Sequence, residues 1–194
     1  MLGHRRSVDF DFFAYRPIDT RKLLETLPFL QGAKIIQEET NTLTAEVKRA
    51  GAIRISFFGV PKLKRLKTTR PILDPHIKLA SPIDLAGMKA AVITRRVEVK
   101  DYLDLDALFV QTNLTLLDAL AAASQIYGHQ FNPVLSLKAL GDLDPPELAK
   151  LPVSVKRRLR AVISAIELKT LANRMKTRKL IKPCRLTPIA RPSR

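Results

Sequence analysis

Arg5-Arg6-Ser7-Val8-Asp9-Phe10-Asp11-Phe12-Phe13 is the part of the sequence that governs the architecture. Polar and apolar residues alternate along it, which is the pattern of a β-strand with one buried face. The alternation predicts a strand over residues 8–14. One face of this strand would carry Arg5, Ser7, Asp9 and Asp11, and the other would point Val8, Phe10 and Phe12 into a core.

Asp9 and Asp11 are the first candidate site residues. The rise of a strand holds two alternate residues about 7 Å apart at the backbone. Two carboxylates at that spacing can bind one or two Mg²⁺ ions, which in turn hold the phosphates of a nucleotide. The pair therefore indicates phosphoryl or nucleotidyl transfer, and a solvated pair of surface carboxylates is the alternative.

The residues that follow predict a sheet with one flanking helix. The helix is expected over residues 21–27, with Thr20 as its cap and Pro28 as its end. Three further strands are expected over residues 34–38, 42–48 and 52–60. A basic loop over residues 61–75 and a short strand over residues 76–80 would come next.

Helices dominate the rest of the sequence. Ser81 and Pro82 are typical of a helix start, and that helix is expected to continue to Arg96. Further helices are expected over residues 101–111, 115–127, 132–140 and 154–175. The predicted fold class is α+β, with a mixed-sheet domain over residues 1–80, a helical domain over 81–175 and a basic flexible tail over 176–194.

The net charge is +16, and most of the surplus lies near the C-terminus. Residues 154–194 hold 13 lysines and arginines against one glutamate. Such a surplus attracts nucleic acid by counterion release, although a solvated tail has the same composition. The chain has one cysteine and no apolar stretch long enough to span a membrane, so a cytoplasmic protein without disulfides is expected.

A second group of candidate site residues lies in the helical part. Lys89 and Arg96 are seven residues apart, or two turns along one helix face, so both can bind the same anion. Asp101 and Asp104 are three residues apart and would share a face of the next helix. A lysine beside carboxylates suggests a site for nucleotide phosphates next to a metal, and an ordinary surface ion pair is the alternative.

The order of these motifs resembles a known family. The motifs are Ser-Val-Asp-Phe-Asp-Phe-Phe, Asp-Leu-Ala-Gly-Met-Lys-Ala-Ala-Val-Ile-Thr-Arg-Arg, Lys-Asp-Tyr-Leu-Asp-Leu-Asp-Ala-Leu and then a leucine-rich helix. Over roughly residues 3–140 the sequence resembles the AbiEii/AbiGii nucleotidyltransferase toxins of type IV toxin–antitoxin pairs. The resemblance implies a polymerase-β-like sheet that carries metal-binding aspartates and a helical domain that closes the nucleotide cleft.

The resemblance also implies roles for single residues. Asp9 and Asp11 would be Mg²⁺ ligands, and Lys89, with Arg96, would bind the phosphates of the NTP. Arg5 and Ser7 match the Arg-x-Ser segment that precedes the aspartates. Asp101 and Asp104 would assist the acceptor hydroxyl or orient Lys89. Glu46, on the predicted strand 42–48, is the candidate for a third metal ligand, with an exposed strand residue as the alternative.

One departure from the family pattern bears on activity. The family has a Gly-Gly or Gly-Ser motif on a helix before the aspartate strand, where backbone amides cradle the triphosphate. The sequence starts at Met1, too late to contain this motif. We therefore expect an N-terminally truncated nucleotidyltransferase sheet with impaired catalysis.

The expected function is the transfer of a nucleoside monophosphate from an NTP to an acceptor hydroxyl on RNA, such as the end of a tRNA. A cognate antitoxin protein is the expected partner. Two other functions are compatible with the same residues: a non-catalytic module that binds nucleic acid, and a remnant that only engages the antitoxin. In both of these, Asp9 and Asp11 would have no chemical role.

Overall fold

A computed structural model describes residues 3–5, 7, 9–67 and 77–166. The chain divides into two compact units, Gly3–Leu63 and the part from Lys64 onward. The first unit contains a four-stranded mixed sheet, and the second is built from helices. A mixed sheet followed by helices confirms the predicted α+β class.

The first unit consists of β1 (Asp9–Ala14), α1 (Thr20–Thr26), β2 (Lys34–Glu39), β3 (Thr42–Arg49) and β4 (Gly51–Gly59). The strand order is β1-β4-β3-β2; β1 runs parallel to β4, and the other neighbours are antiparallel. Asp19 caps α1 by accepting a hydrogen bond from the backbone N–H of Lys22, so the prediction of Thr20 as the cap is wrong. β1 is an edge strand of the described sheet.

The face of this sheet that packs against α1 is apolar. Leu43, Ala45 and Val47 on β3 are buried there, and Phe12 stacks on Phe57 with ring centroids 5.2 Å apart. Phe10 lies on the same face but is 50% exposed, which corrects the prediction that it points into a core. Phe10 instead lines an open groove on this face with Phe29 and Ile55.

The second unit contains α2 (Pro82–Val92), α3 (Val99–Gln111), α4 (Leu116–Tyr127), α5 (Pro133–Gly141) and α6 (Val153–Ser164). Its core is formed by fully buried side chains of α3, α4 and α6, among them Leu105, Leu120 and Leu159. α2 approaches α4 closely at Gly87, where a Cβ atom would lie 2.9 Å from the Cβ of Ala122. Small residues at this contact allow the two backbones to come together.

Three predictions in the second unit differ from the structure. α2 ends at Val92 instead of Arg96, and the chain continues as a turn in which the backbone N–H of Thr94 donates to the carbonyl of Ala91 at 3.3 Å and that of Arg95 to Val92 at 2.9 Å. Residues 77–80 form only an isolated bridge at Lys78 instead of a strand. α6 ends at Ser164, and the predicted helix and tail beyond residue 166 lie outside the described residues.

No single helix among the described residues is long and apolar enough to cross a bilayer, although Val99–Gln111 and Leu116–Gln130, which meet at 120°, reach that length together.

Candidate functional site

Asp9 and Asp11 lie on the polar face of the sheet, opposite the face that carries Phe12. In the parallel register, Asp9 pairs with Arg54 and Asp11 pairs with Ser56 of β4. Directly paired residues of neighbouring strands point to the same face, so a cation and a hydroxyl flank the two carboxylates. Asp11 is exposed and Asp9 is half-buried. The two aspartates therefore share one face, as the alternation of the sequence predicts.

Hydroxyl groups continue this polar face towards β3. Ser56 pairs with Thr44, both side chains are buried, and their hydroxyl oxygens lie 3.4 Å apart. The hydroxyl row begins directly across from Asp11. Because these two hydroxyls are buried and bonded to each other, the exposed oxygen ligands of this face are those of the aspartates.

Glu46 lies on the same polar face, but the structure does not bring it together with the two aspartates. It pairs with Arg54, which in turn pairs with Asp9, so a cation stands between the two acids. Two strand spacings separate Glu46 from Asp9, which is about 10 Å between their backbones. Within residues 3–67 and 77–166, where described, no three His, Cys, Asp or Glu side chains could jointly hold a metal ion.

Ser7 and Arg5 immediately precede β1. The hydroxyl of Ser7 donates to the backbone carbonyl of Asp9 at 3.0 Å, which fixes the local backbone at the start of the strand. Arg5 is half-buried. The hydroxyl of Ser7 thus already has a backbone acceptor close to the first aspartate.

Lys89 is the centre of a second cluster, within the helical unit. Its ammonium group lies 2.7 Å from a carboxylate oxygen of Asp101 and 2.7 Å from one of Asp104. The spacing of three residues places both carboxylates on one face of α3, as predicted. The Asp101 side chain is fully buried, whereas Lys89 keeps 21% of its side chain exposed. Two carboxylates therefore bind the lysine, and part of its side chain remains exposed.

Arg96 belongs to the same cluster in spite of the shortened α2. Its Nε lies 3.0 Å from Asp101 and its terminal NH₂ group donates to the other oxygen at 3.4 Å, which makes the contact bidentate. Glu98 binds Arg96 at 3.3 Å and Lys100 at 3.1 Å. Lys89 and Arg96 do bind one common anion, and that anion is the carboxylate of Asp101.

Tyr102 follows Asp101 in α3 and is buried beneath the cluster. Its hydroxyl donates to the backbone carbonyl of Ala139 at 3.2 Å. Burial raises the pKa of Tyr102, and the negative charges of Asp142 and Asp101 raise it further. The phenol is therefore kept neutral and serves to join α3 to α5.

Asp106 forms an ion pair that the sequence analysis missed. Arg158 of α6 binds it in a bidentate manner, with Nε 2.8 Å from one carboxylate oxygen and a terminal nitrogen 2.5 Å from the other. The hydrogen bond to Asp106 raises the pKa of Arg158. The only signal in the sequence is that Asp106 continues the series of acids begun by Asp101 and Asp104 on α3.

Asp84 is a second residue that sequence reasoning missed. Its buried carboxylate accepts hydrogen bonds from the backbone N–H of Leu66 at 2.7 Å and of Lys67 at 3.3 Å, and from the hydroxyl of Ser81 at 2.5 Å. Part of the predicted basic loop is therefore anchored to the start of α2. The acidic residue three positions after Ser81, in a capping-box position, was the available signal.

Most of the cations of α6 have partners within the helical unit. Lys156 donates to the backbone carbonyl of Leu143 at 2.7 Å, and Arg160 lies 3.2 Å from Asp144. Together with Arg158, three of the basic residues of this helix are thus engaged, whereas Arg157 is exposed. The basic surface of α6 is smaller than its composition indicates.

The chain is similar to one family of proteins. Residues 1–177 match the family model described as nucleotidyl transferase AbiEii toxin, type IV toxin–antitoxin (TA) system. The uncharacterized protein aq_aa25 of Aquifex aeolicus (strain VF5) is 31% identical over 105 residues, which are 53% of this chain and 49% of that protein. The chain thus spans about half the length of the curated relative that it matches. No solved structure matches the chain.

Proposed function

The chain belongs to the nucleotidyl transferase AbiEii toxin family of type IV toxin–antitoxin systems, and on this basis we propose that it transfers a nucleoside monophosphate from an NTP to an acceptor hydroxyl. The proposed acceptor is RNA, such as the end of a tRNA, and the proposed protein partner is a cognate antitoxin. The observation that carries the proposal is the placement of Asp9 and Asp11 on one polar face of β1.

The donors on this face fit Mg²⁺. This cation takes oxygen ligands and is usually bound by one or two carboxylates together with substrate phosphates. Asp9 and Asp11 supply the two carboxylates, so a third protein carboxylate is unnecessary and we assign Glu46 no metal contact. A bound Mg²⁺ supplies Lewis-acid stabilisation of the charge on the phosphates. Arg54, paired with Asp9, would add positive charge for the phosphates.

Lys89 would stabilise negative charge on the departing pyrophosphate. A lysine ammonium group has three N–H donors, and Asp101 and Asp104 take two of them. Among the described residues no other contact takes the third donor, and 21% of the side chain is exposed, so we propose that this donor binds the ligand.

Asp101 and Asp104 act, in this proposal, as positioning residues. The sequence leaves open whether they assist the acceptor hydroxyl or orient Lys89. Their oxygens lie at hydrogen-bond distance from the Lys89 ammonium group, and Asp101 also binds Arg96. Both carboxylates already bind the Lys89 ammonium group, and this contact favours the orienting role.

Binding and transfer are tested with the full chain. We expect calorimetry to detect Mg²⁺-dependent NTP binding and α-labelled NTP to label RNA at the reduced rate that the sequence analysis predicts, and we expect Asp9→Asn and Asp11→Asn to abolish both. Asp144→Asn is the matched control, because it removes the same charge from a side chain that is 82% exposed on the helical unit. Equal binding and labelling by Asp9→Asn and the wild type would refute the proposal.

A further inference from the structure

Phe13 and Phe58 form an aromatic pair on the same face as Asp9 and Asp11. Phe13 is paired with Phe58 in the β1–β4 register, two positions beyond Asp11. The rings stack with centroids 5.3 Å apart and an angle of 25° between their planes. Phe13 remains 40% exposed in spite of this contact, whereas Phe58 is half-buried. The pair therefore presents a ring surface to solvent, supported from behind by a second ring.

The stack runs across the strands towards the open edge of the sheet. Its centroid separation is close to the spacing of about 4.8 Å between neighbouring strands, so the two rings follow the strand ladder. β4 occupies one side of β1, and within the described residues no strand lies on the other side. A planar group placed beyond β1 would extend the stack past Phe13.

The position of this pair matches the dimensions of a nucleotide. Phe13 is about 7 Å from Asp11 along the strand, on the same side of the sheet. In a nucleotide the sugar separates the base from the α-phosphate by a comparable span. A nucleotide whose phosphates lie at Asp9 and Asp11 can therefore place its base against Phe13.

We infer that Phe13, supported by Phe58, is the stacking platform for the base of the bound NTP. The inference rests on the proposed function, because it takes the two aspartates as the phosphate end of the site. Stacking on an aromatic ring is available to every base, so the platform would contribute affinity without selecting one nucleotide. Purines, with the larger ring surface, would gain more than pyrimidines.

Phe10 provides the contrast on the same strand. It is 50% exposed, but it lies on the opposite face and lines an open groove of about 310 Å³ together with Phe12, Phe29, Val47, Arg49, Ile53 and Ile55. That groove offers no carboxylate for a metal and its phosphates. Phe10 and Phe13 are both exposed, so exposure does not distinguish them. They differ in the face of the sheet on which they lie, since only Phe13 shares its face with the two aspartates.

The chain contains no tryptophan, which permits a direct optical test. A Phe13→Trp variant carries a single indole at the proposed platform. We expect Mg-ATP and Mg-GTP to quench its fluorescence and Mg-tripolyphosphate, which has no base, to leave it unchanged. Phe10→Trp is the matched control, and its fluorescence should respond to none of the three. Quenching of Phe10→Trp but not Phe13→Trp by Mg-ATP would overturn the inference.

A second variant measures the contribution to binding. Phe13→Leu keeps an apolar side chain but removes the ring, and we expect the dissociation constant for Mg-ATP to rise about tenfold. Binding of Mg-tripolyphosphate should not change, and Phe10→Leu should bind both ligands as the wild type does. Circular dichroism establishes that each variant is folded, and Phe13→Tyr, which keeps the ring, should restore ATP binding.

Two outcomes separate this inference from the proposed function. If Phe13→Leu binds Mg-ATP as tightly as the wild type and Asp9→Asn does not bind Mg-ATP, the proposed role of Phe13 is refuted. The proposed phosphate site at Asp9 and Asp11 is then retained. If Asp9→Asn keeps its affinity for Mg-tripolyphosphate, the phosphate site is refuted, and the inference fails with it.

Discussion

The ammonium group of Lys89 on α2 lies 2.7 Å from the fully buried carboxylate of Asp101 on α3. A buried charge is costly unless it is paired, and here Asp101 is paired with Lys89 and, through a bidentate contact, with Arg96. The cluster thus connects the two helices and holds Lys89 in one position. The stability of the cluster and the proposed role of Lys89 in binding therefore both depend on the carboxylate of Asp101.

Replacement of Asp101 by alanine should lower the free energy of unfolding by about 1–3 kcal/mol, because it removes the hydrogen bonds that join Lys89 and Arg96, although Lys89 keeps Asp104 and Arg96 keeps Glu98. Glu98→Ala is the control, since Glu98 binds Arg96 and Lys100 with 39% of its side chain exposed and should contribute about 0–1 kcal/mol. Urea denaturation followed by circular dichroism measures both. Equal losses in the two variants would contradict the assignment of Asp101 as the centre of the cluster.

Gly87→Ala should destabilise the helical unit by about 1–3 kcal/mol, because the new methyl group would lie 2.9 Å from both the Cβ of Ala122 and the backbone nitrogen of Ala123. The helices α2 and α4 would have to separate. Gly141→Ala is the matched control at the end of α5, where a Cβ would meet nothing within 4 Å. Thermal melting should give Gly87→Ala a lower melting temperature than the wild type. The melting temperature of Gly141→Ala should equal or exceed that of the wild type.

Arg158→Ala should cost about 1–3 kcal/mol in unfolding free energy, since it leaves the nearly buried Asp106 without its bidentate partner. Arg157→Ala removes the same charge from the neighbouring exposed position and should change stability by less than about 0.5 kcal/mol. Denaturant titrations of the two variants check the difference. A larger loss for Arg157→Ala would argue against the ion pair as the anchor of α6.

The pH dependence of stability should report the burial of Tyr102. Because its folded-state pKa is raised above the ordinary value of 10.0, the unfolded chain loses the phenol proton first. This contribution to stability is complete below about pH 10 and disappears as the pH rises through the folded-state pKa. Tyr102→Phe should be less stable by about 1 kcal/mol at neutral pH, through loss of the hydrogen bond to Ala139.

The same variant should show a shallower decline of stability above pH 10. Burial also raises the pKa of Tyr127, so a residual slope is expected in Tyr102→Phe. Unfolding curves recorded from pH 8 to 11 measure the two slopes. If the slope in Tyr102→Phe equals that of the wild type, the phenol of Tyr102 does not contribute to the pH dependence of stability.

Local patterns in the sequence were sufficient to predict the strands of the sheet and the starts of most helices. Period-two alternation predicts β1 and the common face of Asp9 and Asp11, and a capping serine and proline predict the start of α2. The end of α2 was missed because the chain has no glycine or proline between Val92 and Arg96 to indicate that the helix stops.

Features that depend on distant parts of the chain were not predictable in this way. Alternation assigns Phe10 to a face, but it does not tell how far a short helix will cover that face. Asp106 and Arg158 are brought together by the packing of α3 against α6, and no spacing rule links them. The roles of Asp9, Asp11, Lys89 and Glu46 in chemistry stay predictions that the experiments above can decide.

The parallel pairing of β1 with β4 has a consequence for synthesis of the chain. β1 emerges from the ribosome first, yet the strand against which it pairs ends only at Gly59, after α1 and the antiparallel strands. Contacts between residues so far apart form late, because the intervening loop must close first. A nascent chain interrupted before Gly59 would carry both aspartates without the neighbouring strand that orders them.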